Sequence, residues 1–344
     1  MSTPLLTIKW ATRTAFADIA APKNNMISQH PLAREGTSRN CRADDECLAS
    51  PSMATICGVI VTYQPDLEFS SRAQRLITQV AQVVVVDNGS SESRVGQLRE
   101  FADKRNVSLI LNHSNEGVAR ALNQGAEWAT AQGYGWILTL DQDTLVEQDM
   151  VESLCAVYRT FPDKRKLAMI GSNYTDTATR RPFLTSSGDD DCSWLEVKTT
   201  ITSGSLIPLS TYRMMGPFRE ELFIDCVDFE YCLRAHSMGF HVLMTRRPLM
   251  QHGIGNATMH NLPWKTTRTS NHSPTRRYFM TRNQLVLAKK YFSTEPIWTV
   301  SMLYRHFKAT ILMCFFEKDI LRKLKFTAIG VLDGLFSNFK RNLG

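Results

Sequence analysis

From Ile56 onward the chain repeats one unit: a short apolar run, a polar residue at its end, then a stretch with helical spacing. The runs are Ile56-Cys57-Gly58-Val59-Ile60-Val61-Thr62, Val83-Val84-Val85-Val86-Asp87, Val107 to Leu111, and Trp136-Ile137-Leu138-Thr139-Leu140. Each is too short for a helix and too uniformly apolar for a strand with one wet face, so each predicts a strand buried on both sides. Leu67 to Val80, Glu92 to Arg105 and Val118 to Gln132 carry apolar residues at helical spacing between them. Strands alternating with helices at this length predict an α/β fold, a Rossmann-like, mostly parallel sheet flanked by helices. Leu167 to Ser172, Glu196 to Thr202 and Phe240 to Thr245 predict further strands, and Asp228 to Met238 a helix.

In such sheets, ligands sit beyond the carboxyl ends of the strands. Thr62, Asp87, Asn112 to Asn115, and Asp141 with Asp143 all fall there. Asp141-Gln142-Asp143 offers two carboxylates that could reach one divalent cation, which would in turn bind a diphosphate. The same residues, with Thr144, could instead form a turn and a helix cap. Asp87 could accept the imide N–H of a uracil or thymine ring, or simply close the Asn88-Gly89-Ser90 turn. Asn115-Glu116-Gly117-Val118-Ala119 opens a helix, where unpaired N–H groups and a glycine suit a nucleotide. No G-x-G-x-x-G and no G-x-x-x-x-G-K-[ST] string occurs, which removes the main support for hydride-transfer cofactors and P-loop chemistry.

Further along, Asp225, Asp228 and Glu230 crowd one segment, as a general base requires or as a helix N-terminus favours. His252 follows an apolar strand and precedes Gly253; it is either a metal ligand or an ordinary polar residue. Arg276, Arg277 and Arg282, with Tyr278 and Asn283, form a basic cluster suited to phosphate, or else a solvated helix face.

The two ends read differently from this body. Residues 1–53 mix Ser, Thr, Asn, Arg and Pro without a period and predict a disordered extension, with Met53 able to serve as a start. Residues 54–295 form the expected α/β domain and 296–344 a basic amphipathic helical tail. Net charge is +5 over 296–344 and +6 over 263–295, leaving −4 for 1–262. This asymmetry points to an anionic partner. Nucleic acid is disfavoured, because carboxylates gathered at strand ends repel phosphate unless a metal intervenes. In the tail, Trp298, Leu303, Phe307, Ile311, Leu312, Phe315 and Phe316 alternate with Arg305, Lys308, Lys318, Arg322, Lys323 and Lys325. Such helices lie in an anionic membrane interface or pack as a domain or dimer pair, so a homo-oligomer stays open. No apolar run approaches the ~18 residues of a membrane span, and no signal-peptide core is present. Eight cysteines without a C-x-x-C pair suggest reduced thiols. A cytoplasmic location follows as an expectation, peripheral on the inner face of the plasma membrane if the tail binds lipid.

Taken in order, these strings resemble the family 2 glycosyltransferases of GT-A fold, and within them bacterial rhamnosyltransferases of polysaccharide and O-antigen (lipopolysaccharide) synthesis. The carrying strings are Val59 to Tyr63, Val86 to Ser90, Asn115-x-Gly117-Val118-Ala119-x-Ala121-x-Asn123, Asp141-Gln142-Asp143, Phe223 to Arg234, and Tyr278-x-x-x-Arg282-Asn283. The resemblance implies that Thr62, Tyr63 and Asp87 hold base and ribose. Asn115, Gly117 and Asn123 would line the nucleotide pocket. Asp141 and Asp143 would bind ribose and a Mg²⁺ or Mn²⁺ ion, with His252 as a third metal contact. Asp228 matches the catalytic base of the family's Glu-Asp pair. Val227 stands where that pair has Glu, so Asp225 competes for the role. The implied reaction is inverting transfer of a sugar, rhamnose from dTDP-rhamnose above a UDP-hexose, to a lipid-linked saccharide. A non-catalytic nucleotide-sugar-binding protein is the alternative from another class.

Overall fold

The computed structural model describes residues 50–103, 107–185, 192–253, 258–262 and 265–340. Of the expected extension, residues 50–53 are described and are ordered: Thr55 N–H donates to the Ser52 carbonyl (3.0 Å) and Ser52 N–H to Thr55 Oγ1 (2.9 Å). The remainder of that segment lies outside the described residues.

Strands β1 (Ile56–Thr62), β2 (Gln82–Asp87), β3 (Val107–Leu111) and β4 (Trp136–Asp141) pair in parallel in the order β3-β2-β1-β4. Helices α1 (Phe69–Ile77), α2 (Glu92–Asp103) and α3 (Val118–Ala131) connect them. The all-valine β2 serves two cores. Val84 and Val86 meet Ala119, Leu122 and Ala126 of α3, while Val83 and Val85 face Phe69, Leu76 and Leu98. Helix α3 lies close on the sheet because Gly125 has no side chain; a Cβ there would stand 2.3 Å from Val59 Cγ1.

Past β4 the sheet becomes mixed. After the two-residue β5 (Leu145–Val146) and α4 (Met150–Thr160), the chain forms β6 (Leu167–Asp176), the short β7 (Arg181–Pro182) and β8 (Trp194–Glu196), and β9 (Ser205–Pro208). Strand β9 runs antiparallel between β4 and β6. Helices α5 (Leu209–Met215) and α6 (Val227–Ser237) lead to β10 (His241–His252), which lies parallel to β6 and antiparallel to β5. The strand expected at Glu196–Thr202 ends at Glu196. Beyond it the chain crosses the sheet face, where Thr200 fills the place of a Gly171 side chain, 2.1 Å from an ideal Cβ. The antiparallel hairpin β11 (Thr258–Leu262) and β12 (Lys265–Thr269) is unforeseen because its residues are mainly polar and show no apolar alternation.

The C-terminal helices α7 (Pro274–Tyr291), α8 (Pro296–Phe316) and α9 (Ile320–Phe336) pack on this body and on one another. Gly330 and Gly334 let α9 approach α7: added Cβ atoms would lie 2.7 Å from the Tyr278 carbonyl oxygen and 2.9 Å from that of Arg282. Asp333 accepts the Tyr278 hydroxyl (2.9 Å). Glu317 accepts from buried Arg277 (2.9 Å) and Lys323 (2.7 Å).

This packing revises the tail's expected faces. Trp298 is buried edge-on against Phe229, Phe316 stacks on His260, and Lys323 is held inside by Glu317. The outward stripe of α8 is Ile297, Val300, Tyr304, Phe307, Ile311 and Phe315, spaced by three or four residues. Among the described residues, no helix is long and apolar enough to cross a membrane.

Candidate active site

The acidic strand end is assembled by a clamp and a hydroxyl relay. Gln142 accepts Tyr63 N–H (2.8 Å) and donates to the Tyr63 carbonyl (3.1 Å), tying the end of β1 to the turn between the two aspartates. Asp141 N–H donates to Ser203 Oγ (3.1 Å), which bonds Thr144 Oγ1 (2.7 Å), which bonds His252 Nδ1 (3.1 Å). The pairing of β5 with the end of β10 brings that histidine across. Ligand atoms of Asp141, Asp143 and His252 thus lie within 4.8 Å of one another. Two carboxylates and an imidazole whose Nδ1 is hydrogen bonded suit Mg²⁺ or Mn²⁺. His252 Nε2 stands 4.0 Å from Asp141 Oδ2, and His252 Nδ1 3.8 Å from Asp143 Oδ1. Burial raises the Asp141 pKa and Asp143 adds to it, while His252 and Arg276 oppose.

Asp141, Asp143 and His252 open into a cavity of about 500 Å³ that Asp225, Asp228 and Arg276 also line. Its other walls include Tyr174, Phe183, Leu195, Phe229 and Met280, with Lys198 and Arg305. Asp228 sits in the first turn of α6, its Oδ1 accepting Phe229 N–H (2.8 Å). Burial pushes its pKa up to about 7; the Phe229 N–H opposes this, and Asp225 and Asp141 reinforce it. Asp225 lies outside the helix, in left-handed backbone (φ 64°), so the two do not share a helical face. Both its oxygens are taken by Arg276, from Nε (3.2 Å) and Nη2 (3.1 Å). Burial alone would lower the Arg276 pKa, but Asp225, Asp141 and Asp143 hold it above its ordinary value.

Residues 65–183 match the family model for glycosyl transferase family 2. The chain is 27% identical over 301 residues to the dTDP-rhamnosyl transferase RfbF of Shigella flexneri, covering 82% of this chain and 96% of that protein. The family 2 match thus covers the segment from the end of β1 to β7. Its fold is similar to that of GalNAc-T7, solved with UDP, GalNAc and Mn²⁺: TM-score 0.54 and 14% identity, over 86% of this chain but 57% of that one. It is also similar to the mannosyltransferase PcManGT of Pyrobaculum calidifontis, solved with GDP-Man and Mn²⁺: TM-score 0.50 and 12% identity, over 83% and 88%. The protein is a glycosyltransferase with a GT-A type sheet.

Within the glycosyltransferase domain, the nucleotide candidates gather at the ends of β1 and β2 and the start of α3. Asp87 is 0% exposed and accepts Thr62 Oγ1 (2.8 Å), Ser90 Oγ (2.6 Å) and Ser90 N–H (2.8 Å). These bonds hold the turn that Ser90 extends toward Gln64. Asn115 Oδ1 accepts Gly117 N–H (3.0 Å) and Asn88 Nδ2 (3.1 Å), shaping the backbone before α3. Gly117 has φ 90°, and a Cβ there would lie 2.6 Å from the Phe223 carbonyl oxygen. Asn123 is buried with every polar atom engaged, by Tyr212, Phe218 and Glu220. Tyr63 and Asn115 are the exposed members of the set.

The expected basic cluster is divided. Arg276 lines the cavity, whereas Arg277 and Arg282 are buried and turn away from it. Arg277 belongs to the Glu317 ion network, and Arg282 donates to the Glu221 (2.8 Å) and Leu222 (3.2 Å) carbonyls. One arginine of the three is thus in place to meet an anion in the cavity; successive positions on α7 point about 100° apart. Sequence reasoning gave no role to Gln142 or Ser203, and named Asn283 only as a member of the basic cluster. The first lay in plain view between the aspartates, but nothing in the local pattern joins the other two to the site.

Proposed function

We propose that this glycosyltransferase moves rhamnose from dTDP-rhamnose, with inversion, onto a saccharide carried by a lipid, as a step of O-antigen or related surface-polysaccharide synthesis. The reading is carried by one observation: a half-buried carboxylate with a raised pKa, Asp228, shares a cavity with the Asp141, Asp143 and His252 cluster. The near full-length similarity to a dTDP-rhamnosyl transferase supports the donor.

In this reading Asp228 takes the proton of the acceptor hydroxyl. The oxygen forms a bond to the anomeric carbon as the bond to the diphosphate breaks on the opposite face, and the electron pair leaves with the diphosphate. Asp141, Asp143 and His252 would hold Mg²⁺ or Mn²⁺, which when bound supplies positive charge to that leaving group. Arg276 is placed to add to it. Thr62, Tyr63, Asp87, Asn115 and Gly117 shape the ground where base and ribose would rest, with Asn123 bracing it from behind.

The acceptor reading rests on the cavity's apolar and cationic walls and on the outward apolar stripe of α8. Lys308, Lys318, Arg322 and Lys325 accompany that stripe in sequence, and surface cations each contribute about 1 kcal/mol of attraction to anionic lipid. We place the protein at the cytoplasmic face of the plasma membrane, held peripherally by α8 and α9.

A donor panel tests the proposal: purified protein, Mn²⁺ or Mg²⁺, a lipid-diphosphate saccharide, and dTDP-rhamnose beside UDP-hexoses. Turnover with dTDP-rhamnose is expected; turnover with UDP-hexoses alone would overturn the sugar assignment. Asp143→Asn should weaken Mn²⁺-dependent dTDP binding by roughly tenfold or more, read by calorimetry, because one of the three ligand groups loses its charge.

A further inference from the structure

The segment entering α6 is held in an unfavourable shape. Phe223, Asp225 and Cys226 all have φ 64°, in the left-handed region that non-glycine residues avoid. Such residues are strained and persist only where their surroundings impose them. Here the imposing group can be identified. Asn283, 0% exposed on α7, directs its side-chain amide at three carbonyls of this segment: Leu222 (2.7 Å), Ile224 (2.8 Å) and Asp225 (2.9 Å). Its neighbour Arg282 reaches the Glu221 and Leu222 carbonyls and donates from Nε to Asn283 Oδ1 (2.9 Å), fixing which way the amide faces.

The segment so held touches both halves of the site. The Phe223 carbonyl accepts Val118 N–H (2.7 Å) at the start of α3, beside Gly117. At its other end the chain enters α6 and presents Asp228 to the cavity. Helix α9 braces the clamp from behind, since Gly334 lies against the Arg282 backbone and Gly330 against that of Tyr278.

We propose that Asn283, oriented by Arg282, is a positioning residue that sets the Leu222–Cys226 turn and through it the place of Asp228. This rests on the reading of Asp228 as the base. The Tyr278-x-x-x-Arg282-Asn283 string is then a device for holding a loop by its carbonyls, a task that needs a side-chain amide donor. Aspartate, nearly the same size, would instead set a carboxylate against three carbonyl oxygens.

The experiment compares Asn283→Ala, Asn283→Asp and Asn283→Gln with wild type, using the donor that wild type turns over. Asn283→Ala and Asn283→Asp are expected to lower kcat by roughly tenfold to a hundredfold, as a displaced reacting group does, with the Kd for dTDP and Mn²⁺ unchanged. Asn283→Gln, which keeps the donor, should recover part of the loss. Loosening is read independently by peptide-resolved alkylation. Cys226, in the turn, should react faster in the alanine variant, while Cys232, behind it on α6 and 0% exposed, stays protected. Unchanged kcat in Asn283→Asp, or Cys226 and Cys232 labelled together, would overturn the proposal. Full activity in Asp228→Asn would instead remove the reading beneath it, so the two failures are distinct.

Discussion

Asp228→Asn should lower kcat by roughly a thousandfold while leaving the Kd for dTDP and Mn²⁺ at its wild-type value. The amide keeps the size of the carboxylate, and its oxygen can still accept Phe229 N–H, so the first turn of α6 is preserved. What disappears is the ability to take a proton. Asp225 is a poor substitute because Arg276 engages both its oxygens. The pH profile separates the two. With Asp228 held up to about 7, kcat/KM should rise about tenfold per pH unit below that value and level off above it. A cation in the neighbouring site would draw the limb lower. In Asp228→Asn the limb should vanish from the residual activity; an unchanged limb would assign the base elsewhere. Stability should move the opposite way. The folded state binds the Asp228 proton more tightly than the unfolded chain, so this group makes folding less favourable as pH rises from its ordinary value of 3.8 to about 7. Above that range Asp228→Asn should melt at a higher temperature than wild type, as expected where a site carries strain for function.

The half of the molecule that the sequence makes legible is the half built from local rules. β1, β2 and β4 are apolar throughout because the sheet is covered on both faces, and polar residues mark where each leaves the core. Asp141 and Asp143 could be read as ligands because they share a turn; His252 could be suggested, but its approach depends on the pairing of β5 with β10, more than a hundred residues apart in chain order. The clamp on the turn before α6 is illegible for the same reason. Asn283 meets its three carbonyls across 58 to 61 residues, and no local pattern distinguishes an amide facing a loop from one facing water. Arginine misled most. Nearness in sequence groups Arg276, Arg277 and Arg282 into one basic cluster, but it cannot show that Glu317 lies beneath the second and a row of carbonyls beneath the third. The apolar residues of the tail misled in the opposite sense: Trp298 and Phe307 are equally apolar, and only the packing of α8 on Phe229 decides which one faces outward.

Glu317→Ala should destabilise the fold by about 3–5 kcal/mol, the cost expected when one partner of a buried ion network is removed. The carboxylate has 0% side-chain exposure and faces Arg277 at 1% and Lys323 at 7%, with Asn271 N–H as a further donor (3.1 Å). Without it two buried cations would be left without their shared anion. Burial alone would raise the Glu317 pKa, but Lys323 and Arg277 outweigh it and hold it below its ordinary value of 4.5. The stabilisation it contributes is therefore present above that value and lost as pH falls through the lowered one, so wild type should show an acid unfolding limb that Glu317→Ala lacks. Charge desolvation makes a sharper test possible. Replacing all three members together, Arg277→Met with Glu317→Leu and Lys323→Met, removes the unpaired charges and should recover most of the stability that the single change loses. Urea denaturation of the two variants decides it. If the triple variant is no more stable than Glu317→Ala, the network matters for its shape and hydrogen bonds and the charge argument fails. If it recovers, the buried ions are there for arrangement: they fix how α7, which carries Arg276 into the cavity and Asn283 onto the turn before α6, sits between the sheet and α9.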